Sequence, residues 1–326
     1  MRSTALFSIG RTEVSPAAIE VLSSRNIDPQ NLFARHEHGD WGEAPDWLAG
    51  SNDNAAAVPT SFHAIRSPYE LDDGCEVIVV TSTDRSRTRL MLASEFTAHE
   101  LSVREGYALW ADTYDFPNPL IAVEEPIVEA ILSRLPPFDS VVDVGTGTGR
   151  LALELTRRGA RQVRGFDATP AMLAVARRKA ETEGLGGLEF AECRLGDSPL
   201  PVASSSVDLV TCGLMLCHLP DLRKAIAECV RVVRPGGWLI LSDFHPAAVA
   251  FGWRTDVVTP DGVFRLPNCW STREEYLGSL TDEGCEIVEV HDIGLGGEPY
   301  GELSEEAMSL KGLPPLCLVI LARKLG

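Results

Sequence analysis

The chain has 326 residues, 44% hydrophobic and 23% charged, which is too long for one ordinary small domain and too mixed for a disordered or collagen-like polymer. Acidic residues outnumber basic ones 47 to 29, a net charge of −18 that repels phosphate backbones and anionic lipid, so neither a nucleic-acid nor a membrane partner is expected. No apolar run approaches the roughly 18 to 20 residues of a membrane span and the opening segment has no small-residue cleavage pattern, so a cytoplasmic protein is expected.

The first hundred residues read as a small α+β accessory domain, residues 1–97. A helix is expected from Pro16 to Arg25, followed by a polar stretch from Asp40 to Asn54. Strands are expected over Phe62–Tyr69, Glu76–Ser82 and Thr88–Leu92, with Thr83-Asp84-Arg85-Ser86 as a turn, together forming a small antiparallel sheet. On an extended strand His36, His38 and Asp40 share a face and have ligand chemistry, against the commoner reading of a loop hydrogen-bond network. The runs ARHEHGDWG and VVTSTDRSRTRLML resemble a small bacterial domain found alone in plasmid-associated proteins, a resemblance that implies no chemistry.

Residues 98–326 read as a second domain in which strand and helix alternate. Ser140–Val144, Val163–Phe166, Leu188–Cys193, Val207–Cys212 and Trp238–Ser242 are short apolar runs of the kind buried strands show. Helices are expected between them: Gly149–Arg158, Thr169 with Pro170 through Ala180, and Asp221 to Val233. Short connections make this a parallel, doubly wound α/β sheet. About thirty residues after Asp243 lack clear periodicity; then come a helix at Thr272–Leu280 and strands at Glu286–His291 and Leu316–Arg323, the last an antiparallel edge insertion.

The strand VVDV runs into Gly145-Thr146-Gly147-Thr148-Gly149, a bend that lets a ligand approach the backbone. Its glycines are spaced two apart, unlike a dinucleotide fingerprint, and no Lys-Ser/Thr follows as in a P-loop. Asp167 ends the next strand, where a carboxylate can accept from both ribose hydroxyls of an adenosyl group, and Gly196-Asp197 follows the third, in reach of an adenine amino group.

The stretches VVDVGTGTGRLALEL, GFDATPAMLAVARRKA, GDSPLPVASSSVDLVTCGLMLCHLPD and VVRPGGWLILSDFHP resemble, in order and spacing, class I S-adenosylmethionine-dependent methyltransferases of the small-molecule, ubiquinone/menaquinone-type group. The resemblance covers residues 100–326. It implies a Rossmann-like, mostly parallel seven-stranded sheet and the cofactor S-adenosyl-L-methionine, with S-adenosyl-L-homocysteine as product. By position it implies Asp143, Gly145, Thr146, Gly147 and Leu214 around the methionine moiety, Asp167 and Ala168 at the ribose, Gly196 and Asp197 near the adenine, and Met172 or Pro201 along its face, with Cys212 adjoining. Each has a plain structural reading too: Asp143 as a turn former, Met172 as core, Asp197 as a loop acid. LGDSPLPV is one residue shorter than the commonest family spacing. Tyr107, Trp110 and Tyr114 share one helical face and form either an aromatic lid or a packing stripe.

Methyl transfer is an in-line displacement that needs alignment and exclusion of water, with a general base when the acceptor is a hydroxyl. His245 is the first candidate base, His218 the second and His99 a weaker third. Substrate selection is expected in His245–Trp270, in the Gly294–Pro315 connection and near 100–120, where Phe244, Phe251, Trp253, Trp270 and Tyr300 suit a small or medium, partly apolar acceptor and Arg254 and Arg265 suit a carboxylate. The leading reading is O-methylation of a metabolite. The alternatives are N-, C- or thiol/arsenic-directed transfer, the last by cysteines the fold brings together, or a non-catalytic cofactor-binding protein. The eight cysteines, without C-x-x-C pairs, otherwise fit reduced, buried thiols. An exposed sheet edge in the first domain suggests a homodimer.

Overall fold

The computed structural model describes residues 5–57, 63–72, 74–116, 118–294 and 314–326. In chain order its elements are β1 (Arg11–Val14), α1 (Pro16–Ser24), α2 (Pro29–Glu37), α3 (Asp46–Ala57), β2 (Ile65–Glu70), β3 (Glu76–Thr81), β4 (Arg87–Leu92), β5 (Ala98–Glu100), α4 (Val103–Trp110), α5 (Pro119–Leu132), β6 (Ser140–Val144), α6 (Arg150–Arg157), β7 (Gln162–Asp167) and α7 (Pro170–Glu183). There follow β8 (Leu188–Glu192), β9 (Val207–Gly213), α8 (Leu222–Val232), β10 (Val233–Phe244), α9 (Pro246–Phe251), β11 (Thr255–Thr259), β12 (Gly262–Leu266), α10 (Arg273–Asp282), β13 (Cys285–Ile293) and β14 (Cys317–Lys324). Contacts divide the chain into two compact units: Met1–Leu101 with Thr113–Asn118 and Asp256–Leu266, and Ser102–Asp112 with Pro119–Thr255 and Pro267–Gly326.

The first unit holds a four-stranded sheet in the order β1-β4-β3-β2, over a core that includes Leu22, Phe33, Tyr69, Val77, Val79 and Leu90. Its β2, β3 and β4 are antiparallel as the sequence suggests, but β1 runs parallel to β4, so the sheet is mixed. The His36 and His38 segment is helical rather than extended: Asp28 caps α2 and Pro29 opens it. His36 is buried between Ser67 Oγ at 2.7 Å and Thr81 Oγ1 at 2.8 Å, while Asp40 pairs with Arg35, so the three side chains do not converge. The stretch expected to lack periodicity after Asp243 contains α9, β11 and β12, and β12 adds alongside β5 in a second, three-stranded sheet.

The second unit carries a seven-stranded sheet in the order β13-β14-β10-β9-β6-β7-β8. Val141 packs into one apolar cluster and Val142 into the other, the alternation expected of a strand covered on both faces. β6 pairs in parallel with both β7 and β9, so the chain reverses its order at β6 and the carboxyl ends of these strands open a crevice there. The sheet is not purely parallel: β14 runs antiparallel to both β10 and β13. It therefore lies inside the sheet, and β13 is the edge, contrary to the expected edge insertion. The Gly294–Pro315 connection, with Tyr300, falls almost wholly outside the described residues.

Candidate functional site

The glycine bend is held from below by Asp143. Its buried carboxylate accepts from Thr146 Oγ1 at 2.7 Å and from Thr211 Oγ1 at 2.6 Å, tying the bend to β9, and burial pushes its carboxyl up to about 6 against those hydrogen bonds. Gly145 and Gly147 have φ of +67° and +54°, and a Cβ built on Gly145 would stand 2.6 Å from Cγ of Met215. The bend thus needs residues without side chains, both for its dihedrals and for the close approach of the turn after β9.

Asp167 closes the second side. It accepts from the Gly147 amide at 2.9 Å and the Thr169 amide at 2.7 Å, so one carboxylate links the bend to the start of α7. Burial raises its carboxyl against those amide bonds. Thr169 is the N-cap residue, as expected, but it caps through no side-chain bond of its own. Ala168 is half-buried beside it, whereas Met172 is 1% exposed within the helix core.

In the turn after the third strand Gly196 offers its carbonyl to Lys224 Nζ at 2.8 Å, and Asp197 is exposed and paired with Arg194 at 3.2 Å. Cys212 is wholly buried at the end of β9. Leu214 follows in the left-handed region at φ +56°, its amide on Ser242 O at 2.8 Å, and this kink directs Met215 over the glycine bend. A non-glycine residue at positive φ is a position of backbone strain, and such positions gather at functional sites. Leu214 was legible in the sequence; Met215 was not, because its role depends on that dihedral.

Past the turn, His218 is 8% exposed and hydrogen-bonded on both ring nitrogens: Nδ1 to the Pro267 carbonyl at 2.8 Å and Nε2 to the Tyr107 hydroxyl at 2.9 Å. A carbonyl only accepts, so Nδ1 carries the proton and Nε2 accepts from Tyr107. Burial lowers the imidazole's affinity for a proton, partly offset by the Pro267 carbonyl. Tyr107 stacks on Trp110 with centroids 6.0 Å apart, but α4 ends at Trp110, so Tyr114 does not continue that helical face; it falls in the Thr113–Asn118 segment of the first unit.

His245 is 2% exposed and also engaged on both nitrogens. Nδ1 accepts from the Ala247 amide at 3.0 Å as the N-cap of α9, and Nε2–H donates to Asp292 Oδ1 at 2.9 Å. Asp292 is shared with Arg273 at 2.9 Å. All eight cysteines are free thiols, five of them buried, and burial pushes Cys217 and Cys317 well above the ordinary thiol range.

A doubly wound sheet with a glycine bend and a strand-end carboxylate at its switch point defines a nucleoside-binding α/β protein. A family model described as a methyltransferase domain matches residues 142–241. Demethylmenaquinone methyltransferase of Thermus thermophilus is 36% identical over 143 residues, 42% of this chain and 63% of that protein. Methyltransferase GfsG of Streptomyces halstedii is 30% identical over 202 residues, 60% of this chain and 70% of that protein. A crystal structure from Listeria monocytogenes, described as an S-adenosylmethionine dependent methyltransferase, shares the fold with a TM-score of 0.50 and 19% identity over 64% of this chain and 100% of its own. The chain spans 63% and 62% of the length of the demethylmenaquinone methyltransferases it matches. It belongs to the methyltransferase family, and its cofactor is S-adenosyl-L-methionine. The open space beside Gly147, where a Cβ would meet nothing nearer than the Gly145 carbonyl at 4.0 Å, and the carboxylate of Asp167, which can accept from hydroxyls, fit that group.

Proposed function

We propose that the chain moves the cofactor's methyl group to an oxygen of a small, partly apolar acceptor. The observation that carries the oxygen reading is His218, whose proton is held on Nδ1 by the Pro267 carbonyl so that Nε2 faces the Tyr107 hydroxyl as a base. Bound S-adenosylmethionine supplies a sulfonium-activated carbon. Tyr107 would take the acceptor's hydroxyl proton as its own passes to His218 Nε2, leaving an oxygen able to receive the methyl group that bound S-adenosylmethionine would supply. The proton goes to His218 rather than His245, since His245 caps α9 and donates to Asp292.

Support for the acceptor class comes from the relatives, two of which are named for demethylmenaquinone, and from Trp253 and the exposed Trp270 in the segment after β10. The net charge of −18 favours small molecules over nucleic acid or anionic membrane, and no helix among the described residues is long and apolar enough to cross a membrane. A cytoplasmic location, a homodimer and the likeness of the first unit to a plasmid-associated domain belong to the same proposal.

The test is a tritium-methyl assay with a panel of phenols, catechols, amines and thiols, with Asp167→Ala as the cofactor control. Label should appear as O-methyl ether. His218→Asn should lower transfer by about 100-fold or more, the lower range for losing a general base, with affinity for S-adenosylhomocysteine held. The wild-type rate should rise with pH through a midpoint below the ordinary imidazole value of 6.5, because burial lowers it and the neutral ring is the active form. Label on nitrogen, carbon or sulfur, or a fully active His218→Asn, overturns the reading.

A further inference from the structure

Cys217 lies in the short turn Leu216–His218 after β9, and Cys269 lies in the segment that precedes α10. The Cys269 amide donates to the Cys217 carbonyl at 2.6 Å. With standard backbone dimensions such a bond holds the two Cα atoms no more than about 6.5 Å apart, inside the roughly 4.4–6.8 Å that disulfides span. The side chains are neighbours as well: Asn268 Nδ2 reaches Cys217 Sγ at 3.6 Å, and the charge Cys269 would carry helps to hold the Cys217 thiol protonated.

Cys217 is 6% exposed, and its S–H donates to the buried carboxylate of Asp243, which also accepts from the Tyr276 hydroxyl at 2.6 Å. Cys269 is only half-buried, so one thiol of the pair meets solvent and the other does not. Burial raises the Cys269 thiol too, which keeps its thiolate scarce and the pair reduced until an oxidant is in excess. Cys212 and Cys229 are hydrogen-bonded to each other in the same way, but both have 0% exposure, where no oxidant reaches them.

We propose that Cys217 and Cys269 form a reversible disulfide site whose oxidant is a peroxide. The Cys269 sulfur attacks a peroxide oxygen; the O–O bond breaks, water leaves, and Cys269 is oxidised to a sulfenic acid. The Cys217 sulfur then attacks that sulfur as its proton passes by way of Asp243 to the departing hydroxide. The S–S bond forms, the S–O bond breaks and a second water leaves, so two thiols are oxidised and both peroxide oxygens are reduced. To make this bond Cys217 gives up Asp243 and Asn268. It directly precedes His218, and Cys269 lies just past Pro267, whose carbonyl fixes the His218 proton, so the disulfide ties together the two segments that orient His218. Oxidation should therefore slow methyl transfer; that consequence rests on the His218 reading, and the bond itself does not.

In the experiment the full chain is treated with hydrogen peroxide, its remaining thiols are alkylated in denaturant, and its disulfides are mapped by mass spectrometry. Free thiols should fall from eight by two, with a single linkage between Cys217 and Cys269, and dithiothreitol should restore all eight. Cys269→Ser should form no disulfide. Cys217→Ala should stop at a sulfenic acid on Cys269, which dimedone labels about tenfold more than in wild type. In the oxidised wild type, transfer to the phenols of the panel should fall by about tenfold or more and return with dithiothreitol, while S-adenosylhomocysteine affinity stays within about threefold. Eight thiols surviving peroxide, a linkage between other cysteines, or a sulfinic acid on Cys269 in place of the bond overturns the site. The bond formed with transfer unchanged overturns its control of His218. The bond formed in a chain that labels no phenol overturns the oxygen-transfer reading and leaves the disulfide site standing.

Discussion

At Gly145 two constraints act on one residue. The φ of +67° costs an L side chain roughly 1–2 kcal/mol, and a Cβ would press against Cβ and Cγ of Met215 at 2.8 and 2.6 Å. Removing the Met215 side chain beyond Cβ relieves the contact with Cγ; the contact with Met215 Cβ and the dihedral remain. Gly145→Ala should therefore lower the melting temperature and weaken S-adenosylhomocysteine by about tenfold or more, while adding Met215→Ala should restore only part of each loss. Calorimetry and thermal melts check both, and full recovery in the double variant would show that the dihedral carries no cost. At this scale the sequence was informative where backbone chemistry is local: the glycine spacing and Asp167 announce themselves. It was silent on Met215 and on the pairing of Cys217 with Cys269, because a thioether placed by its neighbour's dihedral and two thiols joined only by the fold leave no pattern of spacing.

Elements were legible in proportion to how much of their signal was local. Ser15-Pro16 and Asp221 cap helices that begin where their side chains accept backbone amides. The hairpin around Pro260-Asp261-Gly262 had its turn residues in view, between DVV and VFRL, yet lay in a segment read as aperiodic; Asp28-Pro29 was an equally plain start for α2. The place of β14 could not be read, because entry between β10 and β13 is decided by pairing at long range. Asp208 shows what such joints require. It accepts from the amides of Asp139 and Ser140, both at 2.9 Å, and pairs with Arg234 at 2.6 Å, clasping the start of β6 to β9 and β10. Burial pushes its carboxyl up, but those bonds outweigh it and hold it at about 2, below the ordinary 3.8. A depressed carboxyl stabilises the fold above its unfolded value and loses that contribution as the pH falls through the folded one. The gap in stability between wild type and Asp208→Asn should therefore be constant above about pH 5 and shrink steadily toward pH 2 in urea melts. A gap independent of pH across that range would show that the carboxylate's charge is not what holds the joint.

Over the whole molecule, the chain enters the first unit three times. The Asp256–Leu266 stretch, far along the sequence, packs Val258 into a cluster with Ala64, Ile78, Val80 and Met91, and places Asp261 2.7 Å from Arg87 and 2.8 Å from Arg89. The two apolar clusters of the second unit, by contrast, draw on no residue before Leu120 among the described residues. A chain that starts at residue 98 should accordingly keep the seven-stranded sheet, and with it the bend and Asp167, while leaving Val258 and Asp261 without their neighbours. The expected outcome is S-adenosylhomocysteine affinity within a few fold of the full chain, together with self-association visible by size-exclusion chromatography. Replacing residues 256–266 of that shortened chain with a Gly-Ser linker should abolish the association without changing the affinity, because what is removed is an apolar surface with nothing left to cover it. Loss of nucleoside binding in a shortened chain that still melts cooperatively would mean that the first unit contributes directly to the cofactor site.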